Sequence, residues 1–242
     1  KEVIKSLEWQ KKKHYDNFKE FHDNYGRILK EWIHYDPDNK EKIADIVLFY
    51  SMHHDKVITL ADYIANNADV QKWNQKYIYY LPWTSIQELQ QSPYLEQFKQ
   101  HNVDVLLMTD PVDEYVVQAL GTFKERQLKS ASDQDVHLWD EKKQEEEKKE
   151  MEKKEQENKN FLAYVQSTVG KDTIEEVHFT NKLQDALAMV VTKDWQPSAQ
   201  MQKIMKSMWQ NMPAQKKNLS ININHSLAKK MLDLYQKNPK SS

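Results

Sequence analysis

Between Tyr77 and Leu120 the chain changes hydrophobic pattern repeatedly, and this alternation limits what the whole sequence can fold into. Tyr77-Ile78-Tyr79-Tyr80-Leu81 is short, aromatic and β-branched, and Pro82 ends it, which predicts a strand. Thr84, with Gln87 three residues on, has capping-box spacing and opens a helix. Ser92-Pro93 opens another helical stretch, with Ser92 as cap and Pro93 at the first helical position. Val103 to Met108 is an almost unbroken apolar run, the pattern of a strand covered on both faces. Asp110-Pro111 repeats the cap-plus-proline signal, and Asp113 and Glu114 put negative charge in the first turn, where the helix dipole favours it. Strand, helix, strand, helix predicts parallel strands joined by a right-handed crossover. Val105 and Leu107 are expected in its core.

Composition removes several function classes. The 242 residues are enough for one large or two ordinary domains. Charged residues are 30% of the chain, yet the net charge is only -2, so no electrostatic footprint for nucleic acid or an anionic membrane is expected. The absence of cysteine excludes disulfides and thiolate metal sites. The three glycines, Gly26, Gly121 and Gly170, lie far apart, which excludes a P-loop and a GxGxxG turn. No apolar run approaches a membrane span and no signal peptide is visible. The first residue is Lys1 rather than Met, so a piece of a longer protein is expected.

Upstream of the central unit, Tyr15, Phe18, Phe21, Tyr25, Ile28 and Trp32 recur at steps of three or four and predict one apolar face on a long helix from Leu7 to Ile33. A second helix is predicted from Asp38 to Tyr50, with Ile43, Ile46, Val47 and Tyr50 inward. Thr59 opens a short helix, with Asp62 in the capping-box position. Downstream, Asp140 to Asn160 is almost wholly charged, with Glu145–Lys149 and Glu150–Lys154 in the favourable i,i+4 order, and reads as a solvated helix running into Phe161, Leu162, Tyr164 and Val165. Strands are predicted at Ile174–Phe179 and Ala186–Thr192, and a helix from Ser198 through Trp209. Leu219, Ile221 and Ile223 alternate with polar residues as in a half-buried strand, and a last helix starts at Leu227.

No catalytic set and no metal site emerges. None of the nine histidines forms HxxxH or HExxH, and His53-His54-Asp55 reads as a surface loop. Ser51, Thr84 and Ser92 lack a nucleophile-elbow setting. Asp110, Asp113 and Glu114 form a carboxylate cluster, but a helix start already gives them a structural task. Met201, Ile204, Met205 and Met208 share one helical face with Trp209 beside it. Methionine is flexible and polarisable, so such a face suits varied apolar partners; periodicity alone favours ordinary core.

Several stretches resemble the heat shock protein 90 chaperones, in their bacterial form. These are Tyr25-Gly26-Arg27-Ile28-Leu29-Lys30-Glu31, Leu60-Ala61-Asp62-Tyr63, Ile78-Tyr79-Tyr80, Ser92-Pro93-Tyr94-Leu95-Glu96-Gln97-Phe98-Lys99 and, most specifically, Asp110-Pro111-Val112-Asp113-Glu114-Tyr115. Ser198-Ala199-Gln200-Met201-Gln202-Lys203-Ile204-Met205-Lys206 is similar to that family's amphipathic C-terminal-domain motif. Departures mark a divergent member: Trp32 replaces a usual glycine, and Asn222-Ile223-Asn224-His225-Ser226 lacks the prolines of N-P-x-H-P. The resemblance implies an α/β (α+β overall) chain in two parts: residues 1–139 as late middle domain with an αβα subdomain, and 140–242 as a charged linker helix plus the early C-terminal domain, mixed α/β. It implies a stretch of a homodimeric, ATP-driven chaperone that engages unfolded or partly folded clients and co-chaperones in the cytoplasm, or alternatively in an organelle lumen or matrix. ATP and Mg would bind the N-terminal domain of the parent, leaving no cofactor and no catalytic residue here. Met201, Ile204, Met205, Met208 and Trp209 become the expected client-binding residues. The rival readings are an α/β enzyme with a site near Asp110 and a scaffold for one fixed partner.

Overall fold

The computed structural model describes residues 2–54, 56–67, 76–82, 85–133, 136, 138, 141–191 and 216–237. In chain order its elements are α1 (Glu2–Lys13), α2 (Tyr15–Tyr35), α3 (Lys40–Ala44), β1 (Phe49–Ser51), β2 (Val57–Ile58), α4 (Leu60–Asn66), β3 (Tyr77–Pro82), α5 (Ile86–Gln90), a 3-10 turn (Pro93–Leu95), α6 (Glu96–Gln100), β4 (Leu106–Met108) and α7 (Val112–Leu120). There follow β5 (Thr122–Phe123), β6 (Arg126–Ser130), α8 (Glu141–Glu157), α9 (Lys159–Val169), β7 (Ile174–Thr180), β8 (Ala188–Val191), β9 (Lys217–Asn222) and α10 (Ser226–Lys237). The class is α/β, with helices around two mixed sheets. The chain forms two compact units, Lys1–Gln90 with Asn102–Ala131, and Gln91–His101 with Ser132–Ser242.

The first unit is built on a six-stranded sheet of order β2-β1-β4-β3-β6-β5. β3 and β4 are parallel, with Leu81 opposite Leu107, as the strand–helix–strand pattern predicts. β3 also runs parallel to β6, while β1 meets β4 antiparallel. Val105 and Leu107 are buried, because β4 lies inside the sheet and is covered on both faces. α7 opens on reciprocal contacts: the Val112 N–H donates to Asp110 Oδ1 at 3.1 Å, and the Asp110 N–H donates to Asp113 Oδ2 at 3.2 Å. It ends at Gly121, whose φ of 61° is left-handed and whose N–H reaches Val117 O at 2.9 Å. The predicted capping box of α4 is present, Thr59 Oγ1 accepting from Asp62 N–H at 3.2 Å and Asp62 Oδ2 from Thr59 N–H at 3.1 Å.

Several local expectations are corrected here. The predicted long helix is two, parted at His14, and of the predicted apolar face only Phe18 and Phe21 turn to the core. α2 buries Phe18, Gly26, Leu29, Lys30 and Ile33 and leaves Tyr15, Tyr25, Ile28 and Trp32 exposed, because it packs against α1, α3 and α7. The predicted helix from Asp38 to Tyr50 shrinks to α3, and Tyr50 belongs to β1, where pairing to Leu107 draws it into the sheet. The hydroxyl of Ser92 caps nothing; only its carbonyl accepts the Leu95 N–H, at 3.0 Å. At α5 it is Ser85 Oγ that accepts the Glu88 N–H, at 3.3 Å; Thr84 lies outside the described residues.

The second unit carries a three-stranded sheet of order β7-β9-β8. α9 places Phe161, Leu162 and Val165 against Ile174, Val177, Phe179, Ile221 and Ala228. The charged run forms α8, with Lys149–Glu145 at 3.8 Å and Lys154–Glu150 at 2.6 Å on its surface. β9 departs from the half-buried pattern: its polar positions Asn218, Ser220 and Asn222 are buried as well as Ile221. It is the central strand, parallel to β7 and antiparallel to β8, so both its faces are covered.

Candidate functional site

The client-binding residues expected from sequence, Met201, Ile204, Met205, Met208 and Trp209, lie outside the described residues, as does the helix predicted from Ser198. The Asp110 neighbourhood lies within them. It forms one wall of a cleft of about 260 Å³ in the first unit, also lined by His22, Gly26, Lys30, Phe49 and Asp113. Lys30 Nζ sits 2.6 Å from Asp113 Oδ1, both side chains almost fully buried, and 5.1 Å from the centre of the Phe49 ring. Burial pushes the Asp113 carboxyl above its ordinary value, while the Lys30 ammonium pulls it down. Desolvation, reinforced by that ammonium, lowers the His22 imidazole from 6.5 to about 4, so it is neutral and its Nε2 accepts the Leu48 N–H at 3.0 Å. A Cβ on Gly26 would stand 2.6 Å from the His22 ring, so only glycine leaves the ring its place.

The chemistry of this cluster is internal. Asp110 and Asp113 cap α7, and Asp113 neutralises Lys30 from α2. His22 ties α2 to the chain entering β1. Lys30 and Asp113 thus clamp α2 and α7 together. Asp104 does similar work nearby: it is buried, and its carboxylate accepts from Ser51 Oγ at 2.7 Å, His53 N–H at 3.1 Å and its neighbour Val105 N–H at 2.8 Å. His53 and His54 lie in the expected turn, which that carboxylate holds. Among the described residues no group of three or more His, Cys, Asp or Glu side chains is placed to hold a metal ion.

The surface that can act on a partner is apolar. On α2, Tyr25 is 52% exposed, Ile28 47%, Trp32 41% and Tyr35 77%. Their spacing of three, four and three residues lines them up along one side of the helix. Tyr115 on α7 is also exposed, as are Leu227, Met231 and Leu234 on α10 in the second unit. Periodicity could not separate this stripe from a core face, because α2 carries apolar residues on both sides. The signal that could have is the Gly26/Lys30 pair, both buried on one side of α2.

Among its described residues the second unit has two polar clusters. His178, on β7, lies 3.3 Å by Nδ1 from Glu155 of α8 and 3.1 Å by Nε2 from Glu176. The hydrogen bond to Glu155 outweighs desolvation and raises the imidazole above its ordinary value. Glu155 Oε1 also accepts the Phe179 N–H at 2.9 Å, pinning the charged helix to the sheet. In the other cluster the Glu96 carboxylate accepts N–H groups from the loop before β8, and the Tyr94 hydroxyl donates to Val190 O. Burial pushes the Tyr94 phenol up to about 12.

The family model for Hsp90 protein matches residues 1–242. The chain is 37% identical over 217 residues to the chaperone protein HtpG of Bdellovibrio bacteriovorus, covering 89% of this chain and 34% of that one. It is 30% identical over 237 residues to the HtpG of Geobacter sulfurreducens, covering 97% of this chain and 36% of the relative. The HtpG of Helicobacter acinonychis is 32% identical over 227 residues, 94% of this chain and 34% of its own. The chain therefore spans about a third of the length of the curated relatives it matches. A solved middle domain of a Plasmodium falciparum heat shock protein is 32% identical, with a TM-score of 0.49 over 54% of this chain and 52% of its own.

Proposed function

The chain belongs to the Hsp90 protein family, HtpG-like in type, and from that membership we propose that it holds non-native polypeptide for a chaperone driven by ATP elsewhere in the whole protein. The observation that carries this is the exposed stripe Tyr25, Ile28, Trp32 and Tyr35. Large aromatic and aliphatic side chains held outward on a rigid helix offer contact area to any apolar segment, without the geometry that would select one. The methionine face of Met201, Ile204, Met205 and Met208, with Trp209, is a second contact in this reading, its flexible side chains suiting varied segments. Residues 1–139 are read as late middle domain and 140–242 as linker helix and early C-terminal domain. ATP and Mg belong in this reading to the nucleotide-binding domain of the whole protein, which acts as a homodimer in the cytoplasm and takes co-chaperones.

The test is suppression of aggregation of an unrelated unfolding protein. Changing Tyr25, Ile28 and Trp32 together to Ser is expected to weaken holding while the melting temperature stays nearly unchanged, since single exposed positions cost within about 0.5 kcal/mol. The triple change of Met201, Met205 and Met208 to Ser is expected to do the same. Undiminished holding by both variants overturns the reading.

A further inference from the structure

The segment Gln91–His101 belongs to the second unit, although the residues on either side of it, Gln90 and Asn102, belong to the first. Its attachment is chemically specific. The Glu96 carboxylate accepts three consecutive backbone N–H groups in the loop between β7 and β8: Gln184, Asp185 at 3.2 Å and Ala186 at 3.2 Å. The carbonyls of the same loop are taken from the opposite side. Asn222 Nδ2, fully buried on the central strand β9, donates to Leu183 O at 3.0 Å, Ala186 O at 3.2 Å and Gln184 O at 3.4 Å. Tyr94 packs on the small apolar cluster of Leu183, Met189 and Val191 and gives its hydroxyl to Val190 O on β8. Among the described residues β8 pairs with β9 alone.

The two anchors differ in kind. Asn222 is part of the sheet and moves only if the sheet does. Glu96 and Tyr94 sit on a short inserted segment, and three loop amides converge on one carboxylate from it. A charged acceptor shared by three donors is worth more than any single neutral bond, and its loss frees all three together. We propose that Gln91–His101 is a latch on the second unit: Glu96 and Tyr94 hold the 181–187 loop and the start of β8 ordered, and withdrawing them releases that stretch as one local unit while β7 and β9 stay paired. Release bares Leu183, Met189 and Val191. The proposal stands on this geometry and is independent of the chaperone reading.

Amide hydrogen exchange followed residue by residue on the full chain tests it. Glu96→Gln keeps the side chain's size but removes its charge and one of its two acceptor oxygens. The amides of Gln184, Asp185 and Ala186 are then expected to exchange about tenfold faster or more, while Val177 and Phe179 on β7 and Leu107 in the first unit keep their rates. Tyr94→Phe, which removes only the hydroxyl, is expected to speed exchange around Val190 by a smaller factor. Unchanged rates at 184–186 in Glu96→Gln overturn the latch. So does protection lost across β7 and β9, or outright unfolding, since Glu96 would then be a strut for the whole unit.

Discussion

At residue scale, one glycine decides how the first unit holds its longest helix. Gly26 makes room for the His22 ring, which accepts the Leu48 N–H, and lies on the side of α2 that also buries Lys30. Gly26→Ala is the usual stabilising change in a helix, worth about 1 kcal/mol. Here the methyl would displace the ring and strand a backbone donor, at about 1–3 kcal/mol for crowding and a further 1–3 kcal/mol for the lost bond. The losses win, so chemical denaturation should show the variant less stable. His22 also sets a pH dependence. The unfolded chain takes up the proton near 6.5, the folded one only near 4. Its stability is complete above 6.5 and is lost as pH falls toward 4, by about 3 kcal/mol in all. Denaturation midpoints measured across that window should fall, and His22→Gln should flatten the fall.

At element scale, β4 and β9 show how a central strand differs from an edge. Val105, on the approach to β4, is fully buried, so Val105→Asp would take a carboxylate out of water and should cost several kcal/mol, about 3 or more, and visibly lower the melting temperature. Asn222 makes the converse case. Its amide serves three loop carbonyls and its Oδ1 accepts the Asn224 N–H at 3.0 Å, so Asn222→Leu, although apolar, should destabilise by about 1–3 kcal/mol in a denaturant titration. The two positions were not equally legible. Val103 to Met108 announces its burial, because a strand covered on both faces needs an unbroken apolar run. Asn218, Ser220 and Asn222 alternate with Leu219, Ile221 and Ile223, which reads as one wet face. Only the pairing of β9 to β7 and β8, contacts far away in sequence, covers that face. α2 failed for the same reason: both its sides are apolar, and its packing partner α7 lies more than 70 residues downstream. Local signals such as Thr59/Asp62 and Asp110/Asp113 were legible because their chemistry is completed within a few residues. The exposed stripe of α2 was not, because exposure depends on what the rest of the chain leaves uncovered.

At the scale of the molecule, the two units carry histidines of opposite behaviour. His178 gains Glu155 and Glu176 on folding, so its raised value gives the second unit stability that is complete below 6.5 and lost as pH rises through that value. Glu147, Lys148, Glu152 and Lys182 line a cleft with His178 and Glu155. Exchange measured at pH 6 and pH 8 should show α8 and β7 better protected at the lower pH, and His178→Phe should erase the difference. The first unit should move the other way below 6.5. The discontinuous second unit also bears on how the chain is made. Glu96 precedes the loop amide it holds, at Gln184, by 88 residues. A ribosome adding about 5–20 residues per second leaves that carboxylate waiting for roughly 4–18 s. β3 needs only β4 and β6, which follow within about 50 residues, so the first sheet can close while Gln91–His101 hangs from it as a loose loop. Synthesis in chain order thus delivers Gln91–His101 long before the remainder of the unit that it completes.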